Sequence, residues 1–312
     1  MSAMQITRRL LAALVAVPLV GALTTGPAAA ASTGWNPPQR FELGYSVNGR
    51  VGAANLDGNI FTVWRNSVDD GMTTNGLYGS PKTFPGRTSG NPAATVIHGR
   101  IYVGWKGVDG DNRMFMTSSG NGVDWSPEAV TPGETTDGPA LTVFNGQIYQ
   151  AWRGATGNTI NVASTFDGVH WSPTATVPGG ASDSPALAVF NGRLRLAWKG
   201  VPGDNRLFYS SSADGVNWTT FSPPIAGTTS GSPTLAAFDN GLYLAWKGAT
   251  DNHLYFTISP DGEYWPSGGD AGVGGSAYGP TFVQRPDGTY LYLLWHTDDG
   301  SDQIRYSWRH TV

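Results

Sequence analysis

The sequence predicts an all-β protein built from six repeated four-stranded units, and three observations predict it. Charged residues make up only 13% of the 312, whereas Gly reaches 43 and Trp, Tyr and Phe 12 each. That composition suits many short strands joined by tight turns, and it excludes a disordered chain, a coiled coil or a helical bundle. Second, one phrase recurs along the chain, as in Ser-Pro-Ala-Leu-Ala-Val-Phe-Asn-Gly at 184–192 followed by Arg-Leu-Arg-Leu-Ala-Trp-Lys-Gly at 193–200. Its anchors are Trp105, Trp152, Trp198, Trp246 and Trp295, spaced 47, 46, 48 and 49 residues, with Trp64 as a sixth, 41 residues before Trp105. Third, Trp125, Trp171, Trp218 and Trp265 follow their anchors by 19 or 20 residues, a spacing that puts them on the outer strands.

Taken in order, the chain opens with Arg8 and Arg9, an apolar run from Leu10 to about Leu23, and Ala28–Ala31. These are the three parts of a cleavable secretory signal, so residues 1–31 are expected to be an export signal and the protein to be secreted. The run is too short for a membrane span, and Thr7-Arg8-Arg9-Leu10-Leu11 loosely resembles a twin-arginine signal. Without Arg8 and Arg9 there remain 17 basic residues against 23 acidic ones, a balance of −6. No basic block occurs, which argues against nucleic acid or an anionic membrane as partner.

Residues 32–312 are expected to form a single domain of six units. Asn-Gly at 145–146 and 191–192 marks the first hairpin of a unit, because both residues of a type I′ turn need positive φ. Asp-Gly at 167–168, 214–215 and 261–262 marks the second. Four antiparallel strands per 47 or so residues is a blade, and six blades make a β-propeller. The sixth unit ends 17 residues after Trp295, before a second Trp, while Trp35 near the other end sits in a copy of the missing phrase. Residues 32–45 are therefore expected to supply the outer strand of the last blade and close the ring, which protects its edges.

The segments around Asn121 and Trp125, Asp167 and Trp171, Asp214 and Trp218, and Asp261 and Trp265 resemble the Asp-box of sialidase-like propellers, though each lacks the residue between Asp and Gly. The resemblance implies a structural turn remote from any site, with Asp bonding backbone N–H groups and Trp packing between blades. In size and blade count the chain is also similar to the six-bladed fucose-lectin propellers.

A basic or titratable residue follows each anchor: Arg65, Lys106, Arg153, Lys199, Lys247 and His296. An acid or amide comes soon after, at Asp111, Asn158, Asp204, Asp251 and Asp302. The bland reading is a repeated Lys–Asp pair that stabilises the loop; the sharper one is a row of donors and acceptors for a polar ligand. Asp137, Asp183 and Tyr278, at the starts of first strands, share that rim and complete the candidate set. Repetition points to a binder, since an enzyme site is one asymmetric constellation. A secreted, monomeric, multivalent carbohydrate-binding propeller with a glycan or polysaccharide partner is expected. The alternatives are a sialidase-like glycoside hydrolase and a non-catalytic protein-binding propeller. Without Cys, and with five His in no ligating spacing, no cofactor or metal is expected.

Overall fold

The structure, a computed structural model, describes residues 34–41, 46–76, 81–220, 225–285 and 287–311. Contacts divide the chain into Met1–Ala31 and Ser32–Val312. The export-signal reading falls on the first unit, outside the described residues.

The second unit is a ring of six four-stranded antiparallel sheets. Blade I comprises β2 (Val47–Leu56), β3 (Asn59–Asn66), β4 (Gly71–Gly76) and β5 (Lys82–Arg87). Blade II comprises β6 (Ala93–Ile97), β7 (Arg100–Lys106), β8 (Arg113–Ser119) and β9 (Ala129–Glu134). Blade III comprises β10 (Ala140–Phe144), β11 (Gln147–Arg153), β12 (Ile160–Thr165) and β13 (Ala175–Val177). Blade IV comprises β14 (Ala186–Phe190), β15 (Arg193–Lys199), β16 (Arg206–Ser212) and β17 (Ile225–Thr228). Blade V comprises β18 (Thr234–Phe238), β19 (Gly241–Lys247), β20 (His253–Ser259) and β21 (Gly269–Gly275). Blade VI takes β22 (Thr281–Gln284), β23 (Tyr290–His296) and β24 (Ile304–His310) from one end of the chain and β1 (Gln39–Phe41) from the other. Each first strand touches the next, and β22 touches β2, so the ring is closed.

Local chemistry explains the hairpins. Asn145 and Gly146 sit at φ 49° and 74°, and Asn191 and Gly192 at 50° and 67°, as a type I′ turn requires. Blades I and II make the same turn with Asp57-Gly58 and His98-Gly99.

At three seams blades are held together by tryptophan against glycine. All six anchors are at most 2% exposed. At those three seams the anchor of one blade lies over a Gly in the outer strand of the blade before it: Trp105 over Gly86, Trp152 over Gly133 and Trp246 over Gly227. A Cβ at Gly133 would stand 2.5 Å from the Trp152 indole. Pairing of the outer strand with the third slips at Gly71/Met72, Arg113/Met114 and Arg206/Leu207, bulges that bend it against the next blade.

The second Trp series is not on the outer strands, where the spacing put it. Trp171 and Trp218 only bridge back to Thr165 and Ser212, and all four belong to the turn before the outer strand. In that turn Asp167 Oδ1 accepts from the N–H groups of Val169 and His170, each at 2.8 Å. Asp214 does the same for Val216 and Asn217, and Asp261 for Glu263 and Tyr264. Each turn then rests on the preceding blade: Gly122 against Phe61, Gly168 against Tyr102 and Gly215 against Tyr149. Those aromatics all lie three residues before an anchor Trp. Blade IV has Arg195 there, only 4% exposed, and Glu263 in the facing turn where the others have Val. Arg195 Nη1 donates to the Gly262 carbonyl at 3.0 Å and to the Glu263 carboxylate.

The closing segment repeats this chemistry across the termini. Asn36 N donates to Trp308 O at 3.0 Å, as Ser172 N does to Ser164 O and Thr219 N to Ser211 O. The Ser307 hydroxyl donates to Asn36 O, matching Ser210 to Thr219 O. β1 pairs with β24 at Gln39–Tyr306, Arg40–Arg305 and Phe41–Ile304.

Two outcomes are expected in urea denaturation. Gly133→Ala destabilises by about 3 kcal/mol, from left-handed strain plus overpacking, whereas Gly146→Ala, whose Cβ meets nothing within 4 Å, loses about 1 kcal/mol from strain alone. Glu263→Val leaves a buried guanidinium without its carboxylate and destabilises by about 1–3 kcal/mol, discounted for the exposure of Glu263. Arg195→Tyr combined with Glu263→Val restores the pairing of the other blades and recovers most of that loss.

Candidate functional site

The loop after each anchor strand and the linker between blades lie on one rim, because they hydrogen-bond to each other. Ser89 N donates to Gly107 O at 3.1 Å and Ser182 N to Gly200 O at 3.0 Å. The residue after the anchor Trp fastens this junction. Lys106 Nζ donates to Ser89 Oγ at 2.7 Å and to the Val108 carbonyl at 3.2 Å. Lys199 Nζ donates to Ser182 Oγ at 2.7 Å and lies 3.3 Å from Asp183. Arg153 reaches the Ala181 carbonyl at 3.1 Å, Asn158 Oδ1 at 2.9 Å, the Thr136 hydroxyl and, at 3.6 Å, Asp137. Arg65 clamps Asp70 and the Ser89 carbonyl.

Of the expected pairs Arg153–Asn158 forms, at 2.9 Å, but Lys106 and Lys199 do not meet Asp111 and Asp204. Asp111 instead takes both arms of Arg113, at 2.9 and 2.7 Å, and Asp204 takes Arg206 at the same distances. The reason is reach: the lysines turn inward to the linker, while the arginine two residues after each Asp leaves β8 or β16 beside it. Asp111 is held down at about 2 by Arg113, and Asp204 is lowered by Arg206.

The rim pattern of blades II and IV is not kept in the other blades, and blades V and VI depart from it in ways that open the rim. In blades II and IV the anchor stacks on a Phe, Trp105 on Phe115 and Trp198 on Phe208, and an arginine covers that ring at 5.3 Å. In blade V Trp246 stacks on Tyr255 at 6.0 Å and 18°. His253 replaces the arginine and turns to Asp270 at 2.8 Å, so no guanidinium covers Tyr255 among the described residues. The Tyr255 hydroxyl donates to Asp251 at 2.6 Å, and that carboxylate pushes the phenol up to about 12. A cleft of about 330 Å³ opens here, walled by Trp246, Tyr255 and Asp251, with Gly227, Gly248 and Gly268 leaving its space. The Lys247 side chain, half-buried next to the anchor, makes no hydrogen bond or ion pair among the described residues.

In blade VI His296 is buried and lies flat on Tyr278 at 5.2 Å and 11°, with Asp302 3.6 Å away. Burial lowers its pKa, so the ring is neutral at pH 7. Asp137 and Asp183 stand on neighbouring linkers, 3.6 Å from Arg153 and 3.3 Å from Lys199 respectively. Burial, and next the charge of Asp183, raises the pKa of Asp137. Sequence reasoning selected neither Tyr255 nor Arg113 and Arg206. Their signal was a position ten residues after Trp105 and Trp198, nine after Trp246, that is aromatic in blades II, IV and V, with an arginine two residues before it in blades II and IV.

An acid limb follows from the turn and rim carboxylates. A carboxylate with a depressed folded pKa contributes stability that is fully present above its unfolded value near 3.9 and is lost as pH falls toward the folded one. Stability is therefore expected to drop between about pH 4 and pH 2, and Asp111→Asn or Asp214→Asn to flatten that limb in denaturation followed against pH.

No protein-family model matches the chain, and no curated protein does. Solved structures match it at the level of fold. The Penicillium chrysogenum α-L-arabinanase complexed with arabinobiose superposes with a TM-score of 0.65 at 12% identity, over 89% of this chain and 97% of that one. The SapL1 lectin in complex with α-methyl fucoside gives 0.62 at 16%, over 86% and 95%. The Hadza microbial sialidase Hz136 gives 0.60 at 14%, over 85% of this chain and 66% of that one. The chain thus shares the six-bladed propeller with lectin, sialidase and arabinanase structures.

Proposed function

We propose that this protein is a secreted, monomeric carbohydrate-binding propeller whose principal site is the rim cleft between blades IV and V. The observation that carries the proposal is the uncovered Tyr255 face beside a carboxylate fixed by the Tyr255 hydroxyl. An aromatic face suits the C–H face of a sugar, and a carboxylate held in place accepts from its hydroxyls without first being ordered. The Arg113–Asp111 and Arg206–Asp204 sets of blades II and IV offer further, shallower positions on the same rim, and a rigid disc with several weak sites gains avidity for a polymer. Solved propellers of similar fold carry arabinobiose and α-methyl fucoside in their structures, which supports a sugar ligand.

Calorimetry with fucose and with arabino-oligosaccharides tests the proposal. Binding to the wild type is expected, with Tyr255→Ala and Asp251→Asn each weakening it about tenfold or more. Binding that both variants leave unchanged, or none across a glycan array, removes the cleft from consideration.

The raised pKa of Asp137 beside Asp183 favours one second reading, a glycoside hydrolase in which Asp137 is the acid. Turnover of fluorogenic glycosides by the wild type and not by Asp137→Asn would establish it in place of the lectin.

A further inference from the structure

The first blade breaks the pattern of the ring at the mouth of the central channel. First strands elsewhere begin just inside a proline, but β2 begins at Val47, and its pairing with β3 slips between Asn48 and Gly52. Such a bulge re-aims the side chains it carries. It places Arg50 in the channel neck, at a ring position that the other units fill with Asn91, Gly138, Ser184, Ser232 and Gly279.

Arg50 is held from behind. Its backbone N–H donates to Asn91 Oδ1 at 2.9 Å, and Nε donates to the Pro280 carbonyl at 3.0 Å and to Thr281 Oγ1 at 3.2 Å. Among the described residues Nη1 and Nη2 take no protein partner and no carboxylate pairs with the guanidinium. Arg65, Arg153 and Lys199 on the same rim each have one. Burial without a counter-charge pushes the Arg50 pKa down to about 10. A desolvated, uncompensated charge is unfavourable, and an anion at the neck relieves it. The neck holds about 90 Å³, room for several waters or one small anionic group rather than a sugar ring. Across the same seam, Tyr278 is 38% exposed and its hydroxyl donates to Asn48 Oδ1 at 2.9 Å. It offers a ring face to whatever carries the anion.

We propose that the channel neck is a carboxylate-binding site, in which the outward arms of Arg50 take the carboxylate of a ligand whose body rests on the Tyr278 side of the mouth. A planar fork with two parallel donors matches a carboxylate. The site is separate from the cleft between blades IV and V and stands without it.

Calorimetry on the full chain with sodium glucuronate, sodium acetate and glucose tests the site. One carboxylate site per chain is expected, with acetate and glucuronate competing and glucose not displacing either. Arg50→Gln is expected to weaken both carboxylates at least tenfold, while Asp251→Asn leaves them unchanged. Glucuronate tighter than acetate, with the difference lost in Tyr278→Ala, makes an acidic sugar the ligand. Equal affinities make it the carboxylate of any small acid, and both results support the site. Should Arg50→Gln fail to fold, Arg50→Lys carries the test, because it keeps the charge and loses the fork. Carboxylate binding that survives the Arg50 variants, or no carboxylate binding to the wild type, overturns the proposal. Glucuronate binding lost in Asp251→Asn and kept in Arg50→Gln would assign the sugar to the cleft and overturn the neck.

Discussion

The ring depends on the burial of one indole per blade between neighbouring blades, and at three of the six seams that indole is set on a glycine of the blade before it. Each sheet is too small to bury both faces alone, and its second strand is buried almost along its whole length, as in Arg100–Lys106 and Arg193–Lys199. A propeller blade therefore has no solvent face at its centre, and stability comes from neighbours. Glycine is needed where the indole lands, because a Cβ at Gly133 or Gly227 would fall 2.5 or 2.6 Å from the ring. The bulges, the turns on the preceding blade and the junction lysines all serve to hold blades at the angle that this contact sets.

That demand shapes the chemistry of the rim. Lys106, Arg153 and Lys199 are spent on carbonyls and hydroxyls of the blade linkers, which leaves the next side chains out to meet solvent. Where the repeat is complete, an arginine and an aspartate lock together over a phenylalanine. Elsewhere it lapses, and in blades V and VI and at the start of blade I Tyr255, Tyr278 and Arg50 are left with open faces. The binding features of this ring are thus its irregularities, set in a frame whose regular parts satisfy one another.

The architecture was legible in the sequence because it is periodic. The Trp register, the Asn-Gly turns and the displaced copy at Trp35 each report backbone geometry, and geometry repeats with spacing. Trp125, Trp171, Trp218 and Trp265 were recognised as a series but put on strands, since spacing gives order along the chain and not the point where a turn hands over to a strand. The site was less legible. Lys106 and Asp111 are five residues apart and look like partners, yet which of them meets depends on inward or outward orientation at a loop. Arg50 carries no repeat signal in the sequence; the slip between Asn48 and Gly52 and the burial of its guanidinium distinguish it.

Closure through β1 and β24 has a kinetic meaning. Asn36 and Trp308 meet across 272 residues of chain, so the first segment of the ring has no partner until the last has been delivered. Blades I to V are each continuous in sequence and form from local hairpins, which are quick. Blade VI must wait, leaving the edge of β24 and the inner face of β2 uncovered until one long loop closes. The slow step of folding, and the interval in which one ring can pair its open edge with another, belongs to this single seam.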